Sequence, residues 1–421
     1  MNPLLHRKYF IPDAEAHVMP DGRLYLYGSS DISGKKEYCG SEYRVFSTDD
    51  PDLSVWTDHG VSFRNTREEA GIPWKPGVPL YAPDAIYRDG KFYLYACGQD
   101  SFEAAAVSET PYGPFSNAEP IEGADGDGID PAVFIDDGGQ AYYLWGQFSL
   151  KGGKLCKDMK TLEKESVVSG ILTEQEHGFH EGASMRKRNG KYYIVYTDIS
   201  RGKATCLSYA VSDRPLGPYR KGGVIIDNIY CDPQTWNNHG SIEEYKGKWY
   251  VFYHRSSQNG CTCRRVCAEP IFFQEDGSIP EVEMTSQGAS GPISAFLEVD
   301  ASIACRMKGN LYIAPEPSQN NEFNEILTNC GGGNWTQDWA EYRYLDFSDG
   351  AEYFTIRARG KGNIIILSAD HLIAGKCAID SEEFTTYQKK LDIPLRGVRP
   401  LWLLFDGRKM SVDSFYFQRR E

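Results

Sequence analysis

The sequence has 421 residues, of which 41% are hydrophobic and 13% aromatic, enough for two globular domains or for one large domain with an appendage. Its formal net charge of -14 disfavours nucleic acid and anionic membranes as partners, because both attract basic surfaces. No stretch approaches the roughly 20 apolar residues of a membrane span and no signal-peptide core is visible, so we expect a soluble, cytoplasmic protein with a neutral substrate.

The first predicted strand, within "PDAEAHV", carries three ionisable residues, Asp13, Glu15 and His17, at a spacing of two. Alternate residues of a strand point to the same face of a sheet, so these three side chains form a row if the strand is straight. A row of charge does not suit an apolar core. It indicates that the strand lines a polar channel, with Asp13 as the functional residue and the other two in supporting positions.

A hairpin that follows this strand recurs along the chain. "DGRLYLYGS", "DGKFYLYAC", "GGQAYYLWG", "NGKYYIVYT" and "KGKWYVFYH" each contain a turn glycine followed three residues later by a tyrosine. The glycines are Gly22, Gly90, Gly139, Gly190 and Gly247. The glycine suits the positive φ of a tight turn, and the tyrosine supplies a large packing surface.

The intervals between the five glycines, 49 to 68 residues, accommodate four short strands and their loops. Repeated units of this size favour a β-propeller over a two-sheet sandwich, because a sandwich needs no regular spacing of one hairpin. We therefore predict an all-β protein with a five-bladed β-propeller over residues 1–292. The repeat stops there, and residues 297–421 read as strands of a second domain, a jelly-roll-like β-sandwich.

One polar residue stands near the start of the strand before each turn. In chain order these residues are Asp13, Asp84, Asp130, Glu181 and His239. The first strands of propeller blades line the central axis, so the five side chains should meet at one pocket. Carboxylates gathered there could bind a cation, or they could act as acid and base on a glycosidic bond. Asp13, Asp130 and Glu181 share the same offset from their glycines, and we assign the chemistry to them.

These segments resemble glycoside hydrolase family 43, five-bladed propellers that hydrolyse arabinose- and xylose-containing polysaccharides with inversion. The matching motifs are "PDAEAHVMPDGRLYLYGSSD", "IDPAVFIDDGGQAYYLWG" and "HEGASMRKRNGKYYIVYTD". The resemblance implies that Asp13 is the general base, that Glu181 is the general acid, and that Asp130 orients Glu181 and raises its pKa. In an inverting enzyme the acid and the base stand roughly 6.5 to 9.5 Å apart, with the attacking water between them.

Two further segments extend the resemblance. "HGSIEEYKGKWYVFYHR" resembles the fifth-blade segment, which implies that His239 lies near the axis beside calcium or water. "RRVCAEPIFFQEDGSIPEVEMT" resembles the closing segment, whose arginine, here Arg264, reaches the sugar. No cofactor is required for the chemistry, and Ca²⁺ at the axis is the one metal that the resemblance suggests.

Other candidate substrate-binding residues flank the starts of the blades. Asp84 is a candidate for a hydrogen bond to a sugar hydroxyl or to the backbone. Aromatic or imidazole rings that could stack on a sugar, with core packing as the alternative, are Trp74, Tyr81, Phe179 and His180.

The C-terminal segment "NWTQDWAEYRYLDFSDGAEYFTIRARG" resembles the carbohydrate-binding modules of family 6. Because the domain is short, we expect it to pack against the propeller or to shape the pocket rather than to bind polysaccharide itself. Trp335 and Trp339 are the residues that could give it a binding role.

The leading hypothesis is an exo-acting α-L-arabinofuranosidase that acts on arabinoxylan-type oligosaccharides. A β-xylosidase that uses the same carboxylates is the alternative within this class, and a noncatalytic carbohydrate-binding propeller is the alternative outside it. The sequence fixes neither the linkage nor the oligomeric state.

Overall fold

The computed structural model describes residues 1–65, 77–126, 128–317, 323–329, 338–369 and 372–419. This part of the chain is almost entirely β-structure, with a five-bladed β-propeller followed by a β-sandwich, which confirms the predicted fold class. None of its helices is long and apolar enough to cross a membrane. Its ten cysteines are free thiols.

The blades are antiparallel sheets whose strands follow one another in chain order. Blade 1 comprises β1 (Glu15–Val18), β2 (Leu24–Gly28), β3 (Glu42–Thr48) and β4 (Thr57–Arg64). Blade 2 comprises β5 (Asp84–Arg88), β6 (Lys91–Cys97), β7 (Glu103–Ser108) and β8 (Ser116–Pro120). Blade 3 comprises β9 (Ala132–Ile135), β10 (Ala141–Trp145), β11 (Ser149–Leu155) and β12 (Val168–Thr173).

Blade 4 comprises β13 (Phe179–Arg188), β14 (Lys191–Asp198), β15 (Cys206–Ser212) and β16 (Arg220–Asp227). Blade 5 comprises β17 (Ser241–Tyr245), β18 (Lys248–Ser257) and β19 (Gly260–Ile271). The short helix α1 (Glu174–His177) precedes blade 4, and 3₁₀ segments lie at Lys164–Ser166, Gly288–Ser290 and Ala301–Ile303.

The repeated hairpin connects the first two strands of every blade. All five turn glycines have φ between +76° and +86°, the left-handed region that glycine enters without steric cost. In three of the turns the preceding residue also has a positive φ, as type I′ hairpins require. These residues are Asp89, Asn189 and Lys246.

Neighbouring blades share hydrophobic cores. One core joins blades 1 and 2, and equivalent cores lie at the other blade interfaces. Tyr25, Tyr193 and Tyr250 of the repeated motif each belong to one of these cores. The repeated tyrosine therefore packs between blades, where its ring buries a large apolar area.

The ring of blades closes where the N-terminal segment meets blade 5. Ala14 forms a parallel bridge with Gly240, and the Leu4 N–H donates to the Val266 carbonyl at 3.0 Å. The side chain of Asn2 accepts from the Ala268 N–H at 2.9 Å. Blade 1 is thereby joined to the last blade by hydrogen bonds, and the two faces of the seam share one core.

The sandwich begins at β20 (Ile293–Ser294), slightly before the predicted start at residue 297. Its other strands are β21 (Val299–Asp300), β22 (Arg306–Lys308), β23 (Leu311–Pro317), β24 (Phe323–Asn329), β25 (Trp339–Asp346), β26 (Ala351–Leu367), β27 (Ile373–Leu395) and β28 (Val398–Gln418). A single large core lies between them. Trp339 is partly buried, and the Arg306 guanidinium lies 5.9 Å from the centroid of the Trp339 ring. Trp335 lies outside the described residues.

The sandwich is attached to blade 5 by buried polar contacts. The guanidinium of Arg265 on β19 forms a bidentate ion pair with Glu325 on β24. The same guanidinium lies 4.2 Å from the centroid of the Phe10 ring. The Met307 N–H donates to the Tyr230 carbonyl at 2.6 Å. The second domain therefore contacts the propeller close to the segments that carry the predicted site.

Candidate active site

A cavity of about 210 Å³ lies where the starts of the first strands of several blades meet. Its lining includes seven residues that the sequence singled out: Asp13, Tyr81, Asp130, His180, Glu181, His239 and Arg264. Asp13, Asp130 and His239 are 5 to 6% exposed, so the cavity floor is made of buried polar groups. The structure thus brings the three predicted carboxyls together although they are distant in sequence.

The conformation of Asp13 is fixed by its neighbours. Its φ is 57°, an unfavourable left-handed value for a non-glycine residue. Its N–H donates to Nδ1 of the buried His254 at 3.3 Å, and its Oδ2 accepts from the Ser29 hydroxyl at 2.6 Å. Strained backbone that is held by several contacts is frequent at functional sites.

Arg264 determines the charge of Asp13. Its Nη1 donates to Asp13 Oδ1 at 2.9 Å, while its Nε and Nη2 pair with the two carboxylate oxygens of Asp31, each at 2.9 Å. Burial tends to raise the pKa of Asp13, but the guanidinium, helped by the Ser29 hydrogen bond, lowers that pKa below its ordinary value. Asp13 is therefore an ionised carboxylate at neutral pH and can accept a proton.

The charge of Glu181 acts on Asp130. Burial, with the charge of Glu181 as the next cause, raises the pKa of Asp130 well above its ordinary value. Burial thus favours the protonated form of Asp130, and the role that the resemblance gives it toward Glu181 stays a prediction.

Glu181 lies at an irregularity of β13. The register with β14 shifts on both sides of Glu181, as in a β-bulge, which redirects a side chain without ending the strand. Glu181 Oε2 accepts from the Gln147 side-chain amide at 2.8 Å. The next residue, Gly182, has a φ of 68°, and a Cβ atom there would lie 2.9 Å from the His239 ring. The His239 ring can therefore pack against residue 182 only because that residue is glycine.

Three predicted substrate-binding residues are not in the cavity lining or cannot be placed. Phe179 is fully buried and packs on Tyr196, with ring centroids 5.8 Å apart, so it is a core residue. Asp84 is 2% exposed; its oxygens accept from the N–H groups of Ala85 and Val133, and it pairs with a histidine. For both residues the structure shows the alternative that the sequence left open, which is core packing for Phe179 and hydrogen bonds to the backbone for Asp84. Trp74 lies outside the described residues.

Below the cavity, the axis contains a second polar cluster. His17 Nε2 lies 2.7 Å from Asp84 Oδ1 and 3.5 Å from Glu15 Oε1. In the described residues, these three form the one group of at least three side chains that could hold a metal ion. Burial raises the pKa of Asp84 to about 7 and lowers that of His17 to about 4, so this histidine is neutral at physiological pH.

This cluster does not fit a calcium ion. Ca²⁺ takes six to eight oxygen ligands, and the group offers two carboxylates and one imidazole nitrogen. The guanidinium of Arg186 already pairs with Glu15 and Glu243, both at 2.7 Å. His239, which the resemblance places beside calcium, is not part of the group; its Nδ1 lies 3.8 Å from oxygens of Asp13 and Asp130. The Arg186 guanidinium therefore supplies positive charge beside this cluster, and the group does not test the predicted Ca²⁺ beside His239.

The sequence reasoning missed several residues of the site. Tyr38, Gln147, Trp236 and Asn237 line the cavity, and Ser29 bonds to Asp13. Ser29 and Gln147 each lie just after the second strand of a hairpin. Since the two strands of a hairpin are antiparallel, the end of the second lies beside the start of the first, and this rule could have identified them. Trp236 lies in a loop without a repeat partner.

Comparison with known proteins gives consistent matches. A family model described as "Glycosyl hydrolases family 43" matches residues 1–279. A protein named xylosidase/arabinosidase from Thermoclostridium stercorarium is 32% identical over 98% of this chain and 98% of its own length. That relative extends over both domains.

Two solved structures also match. A GH43 β-xylosidase/α-arabinofuranosidase from a compost microbial metagenome, described in complex with xylotriose in a calcium-free form, has 30% identity and a TM-score of 0.58. It covers 67% of this chain and 97% of its own, so it corresponds to about two thirds of this protein. An arabinoxylan arabinofuranohydrolase from Bacillus subtilis, in complex with cellotetraose, has 22% identity and a TM-score of 0.57. The match covers 100% of this chain and 97% of that chain, and it shows a likeness of fold.

Proposed function

Because the chain belongs to family 43 of the glycosyl hydrolases and is a glycoside hydrolase, we propose that it releases terminal α-L-arabinofuranosyl units from arabinoxylan-type oligosaccharides by inversion. The observation that carries the proposal is that a buried, ionised Asp13 lines the same cavity as Glu181 and Asp130, whose pKa is raised. A base and an acid of this kind are what single displacement at a glycosidic bond requires.

In the proposed reaction, Asp13 accepts a proton from the water that attacks the anomeric carbon. Arg264 stays paired with Asp13 and Asp31 and fixes the direction of the base. Glu181, the more exposed member of the acidic pair, donates its proton to the departing glycosidic oxygen. After the products leave, Asp13 releases to water the proton that it accepted and Glu181 takes up a proton from water, so both carboxyls return to their starting states. Asp130, in the same cavity, orients Glu181.

The size of the cavity supports exo action. Its volume of about 210 Å³ is below the roughly 300 to 1,000 Å³ of typical pockets for drug-sized ligands. A site of this size suits one terminal sugar better than a long stretch of chain. We propose no metal for the chemistry, since every proton transfer is assigned to a carboxyl group.

The second candidate function is a β-xylosidase. Its support is the 30% identical relative whose description includes β-xylosidase activity and bound xylotriose. Hydrolysis of 4-nitrophenyl α-L-arabinofuranoside and of 4-nitrophenyl β-D-xylopyranoside, measured side by side, separates the two candidates. Activity on neither glycoside would contradict both.

Glu181→Gln tests the enzyme hypothesis against a noncatalytic carbohydrate-binding propeller. General acid catalysis typically contributes 10²- to 10⁴-fold, so kcat on an oligosaccharide should fall by about that factor while binding is retained. A 2,4-dinitrophenyl glycoside needs little protonation of its leaving group and should be hydrolysed at a largely preserved rate. Asp13→Asn is the matched variant, and it should lose activity on both substrates.

The stereochemical outcome tests the mechanism. NMR of the sugar released in the first minutes should show the inverted anomer. A retained anomer would overturn the roles given to Asp13 and Glu181, because retention requires a covalent intermediate on one carboxylate.

A further inference from the structure

Trp236 is an aromatic residue at the outer part of the catalytic cavity. Its side chain lines the cavity while the residue is 47% exposed, whereas Asp13 and Asp130 on the floor are 5 and 6% exposed. An indole left open to solvent beside a binding site has an apolar face that is available to a ligand. In a cavity that holds the terminal sugar at its floor, a ring at the mouth is adjacent to the next sugar.

The loop that carries Trp236 is held on both sides of the indole. Before it, Asp232 accepts from the N–H groups of Gln234 and Asn259, both at 2.9 Å. After it, the Asn237 carbonyl accepts from the Asn228 side-chain amide at 2.8 Å. Asp232, Asn228 and Asn237 are buried, so the position of the indole is set before a ligand arrives.

The sandwich domain holds the same loop. The Met307 N–H donates to the Tyr230 carbonyl at 2.6 Å, and the Arg306 guanidinium lies 5.6 Å from the centroid of the Tyr230 ring. The β18–β19 hairpin, which supplies the Asn259 N–H, is joined to the sandwich by the Gln258 amide, 3.1 Å from Glu325 Oε1. The loop is therefore fixed from the propeller and from the second domain.

We propose that Trp236 is a specificity-determining residue, which stacks on the sugar next to the one released and favours oligosaccharides over substrates without a second ring. The proposal rests on the proposed hydrolase function and adds to it a ligand contact on the leaving-group side. It assigns the sandwich a part in substrate selection, because contacts from that domain hold the loop in place.

The test compares a substrate that has a ring on the leaving-group side with one that has none. The first is xylotriose, or an arabinose-substituted xylotriose if the wild-type enzyme prefers it, and the second is the glycosyl fluoride of the released sugar. We expect Trp236→Ala to lower kcat/KM for the oligosaccharide about tenfold, mainly through KM, which corresponds to about 1.4 kcal/mol. For the fluoride the change should be less than twofold, and Trp236→Phe should restore most of the loss.

Phe272→Ala is the control, because Phe272 is 72% exposed and lines a different cavity. It should leave both substrates unaffected. An equal loss on both substrates for Trp236→Ala, or no loss on either, overturns the proposal. Failure of the proposed function would be seen separately, as absence of hydrolysis of both substrates by the wild-type protein.

Discussion

Asp13 is a carboxylate in a buried position that nevertheless keeps its charge. Arg264 and Ser29 contribute to this in different ways, the first through a full positive charge and the second through one hydrogen bond. Hydrogen bonds to charged groups contribute about 1.5 to 3 kcal/mol, enough to change a pKa measurably. The pKa of Asp13 can therefore be changed by a substitution that leaves the Arg264 guanidinium in place.

Ser29→Ala should move the acidic limb of the pH profile of kcat/KM to higher pH. Asp13 must be ionised to act as base, so activity is lost as the pH falls through its pKa. Removal of the Ser29 hydroxyl removes an interaction that favours the charged form, so the pKa rises and activity is lost at a higher pH. The pH dependence of kcat/KM on an aryl glycoside measures this shift.

Ser30→Ala is the matched control for this experiment. The Ser30 hydroxyl is buried and has no hydrogen-bond partner in the described part of the chain. Its removal should leave the acidic limb where it is in the wild-type protein. A shift of equal size in both variants, or a shift to lower pH in Ser29→Ala, would contradict the role given to Asp13.

At the scale of the strand, the irregular start of β13 positions the general acid. Gly182→Ala should reduce activity at least tenfold, because the new methyl group would meet the His239 ring beside Glu181. The left-handed φ adds a cost of roughly 1 to 2 kcal/mol in stability. Steady-state kinetics and thermal unfolding of the same preparation measure the two effects.

The turn of the same blade offers a control. Gly190 has a similar φ of 76°, but a Cβ atom there would meet nothing within 4 Å. Gly190→Ala should therefore lose a similar amount of stability and keep its kcat. If the two variants lost activity equally, the contact with His239 would not be the cause.

The repeated hairpins explain which parts of the fold and of the site could be predicted from the sequence. The turn glycines and their tyrosines are local signals that recur, so they predicted the blades and, through the strand before each turn, the three carboxyls. Phe179 and His180 are neighbours on a strand and point to opposite faces, and the sequence did not indicate which of the two faces the cavity. Trp236 lies on a loop without periodicity, and its position depends on tertiary hydrogen bonds.

The cytoplasmic location stays a prediction.

At the scale of the whole propeller, Arg186 connects three blades at the central axis through buried ion pairs. Its guanidinium joins Glu15 of blade 1 to Glu243 of blade 5 from its own position in blade 4. Removal of one partner from a buried ion pair leaves an uncompensated charge, which typically costs about 3 to 5 kcal/mol. An internal cation of this kind takes the place that a bound metal could otherwise fill.

We expect a chelator to leave both the activity and the melting temperature of the wild-type protein unchanged. Arg186→Met should lower the free energy of unfolding by about 3 to 5 kcal/mol, measured by urea denaturation. Arg201→Met is the control, since Arg201 forms ion pairs with Asp227 and Glu281 at the surface, and such pairs contribute at most about 1 kcal/mol. Loss of wild-type activity in EDTA that Ca²⁺ restores would contradict this account of the axis.

The seam that closes the ring has a consequence for how the protein is made. Asp13 leaves the ribosome before the arginine that keeps it charged, which follows 251 residues later. At about 5 to 20 residues per second, synthesis separates the two by roughly 10 to 50 seconds. During that time the growing chain holds an aspartate without its guanidinium and an open first blade without the Gly240 bridge. The nascent polypeptide is therefore inactive until blade 5 has emerged, so hydrolysis begins only when the ring is complete.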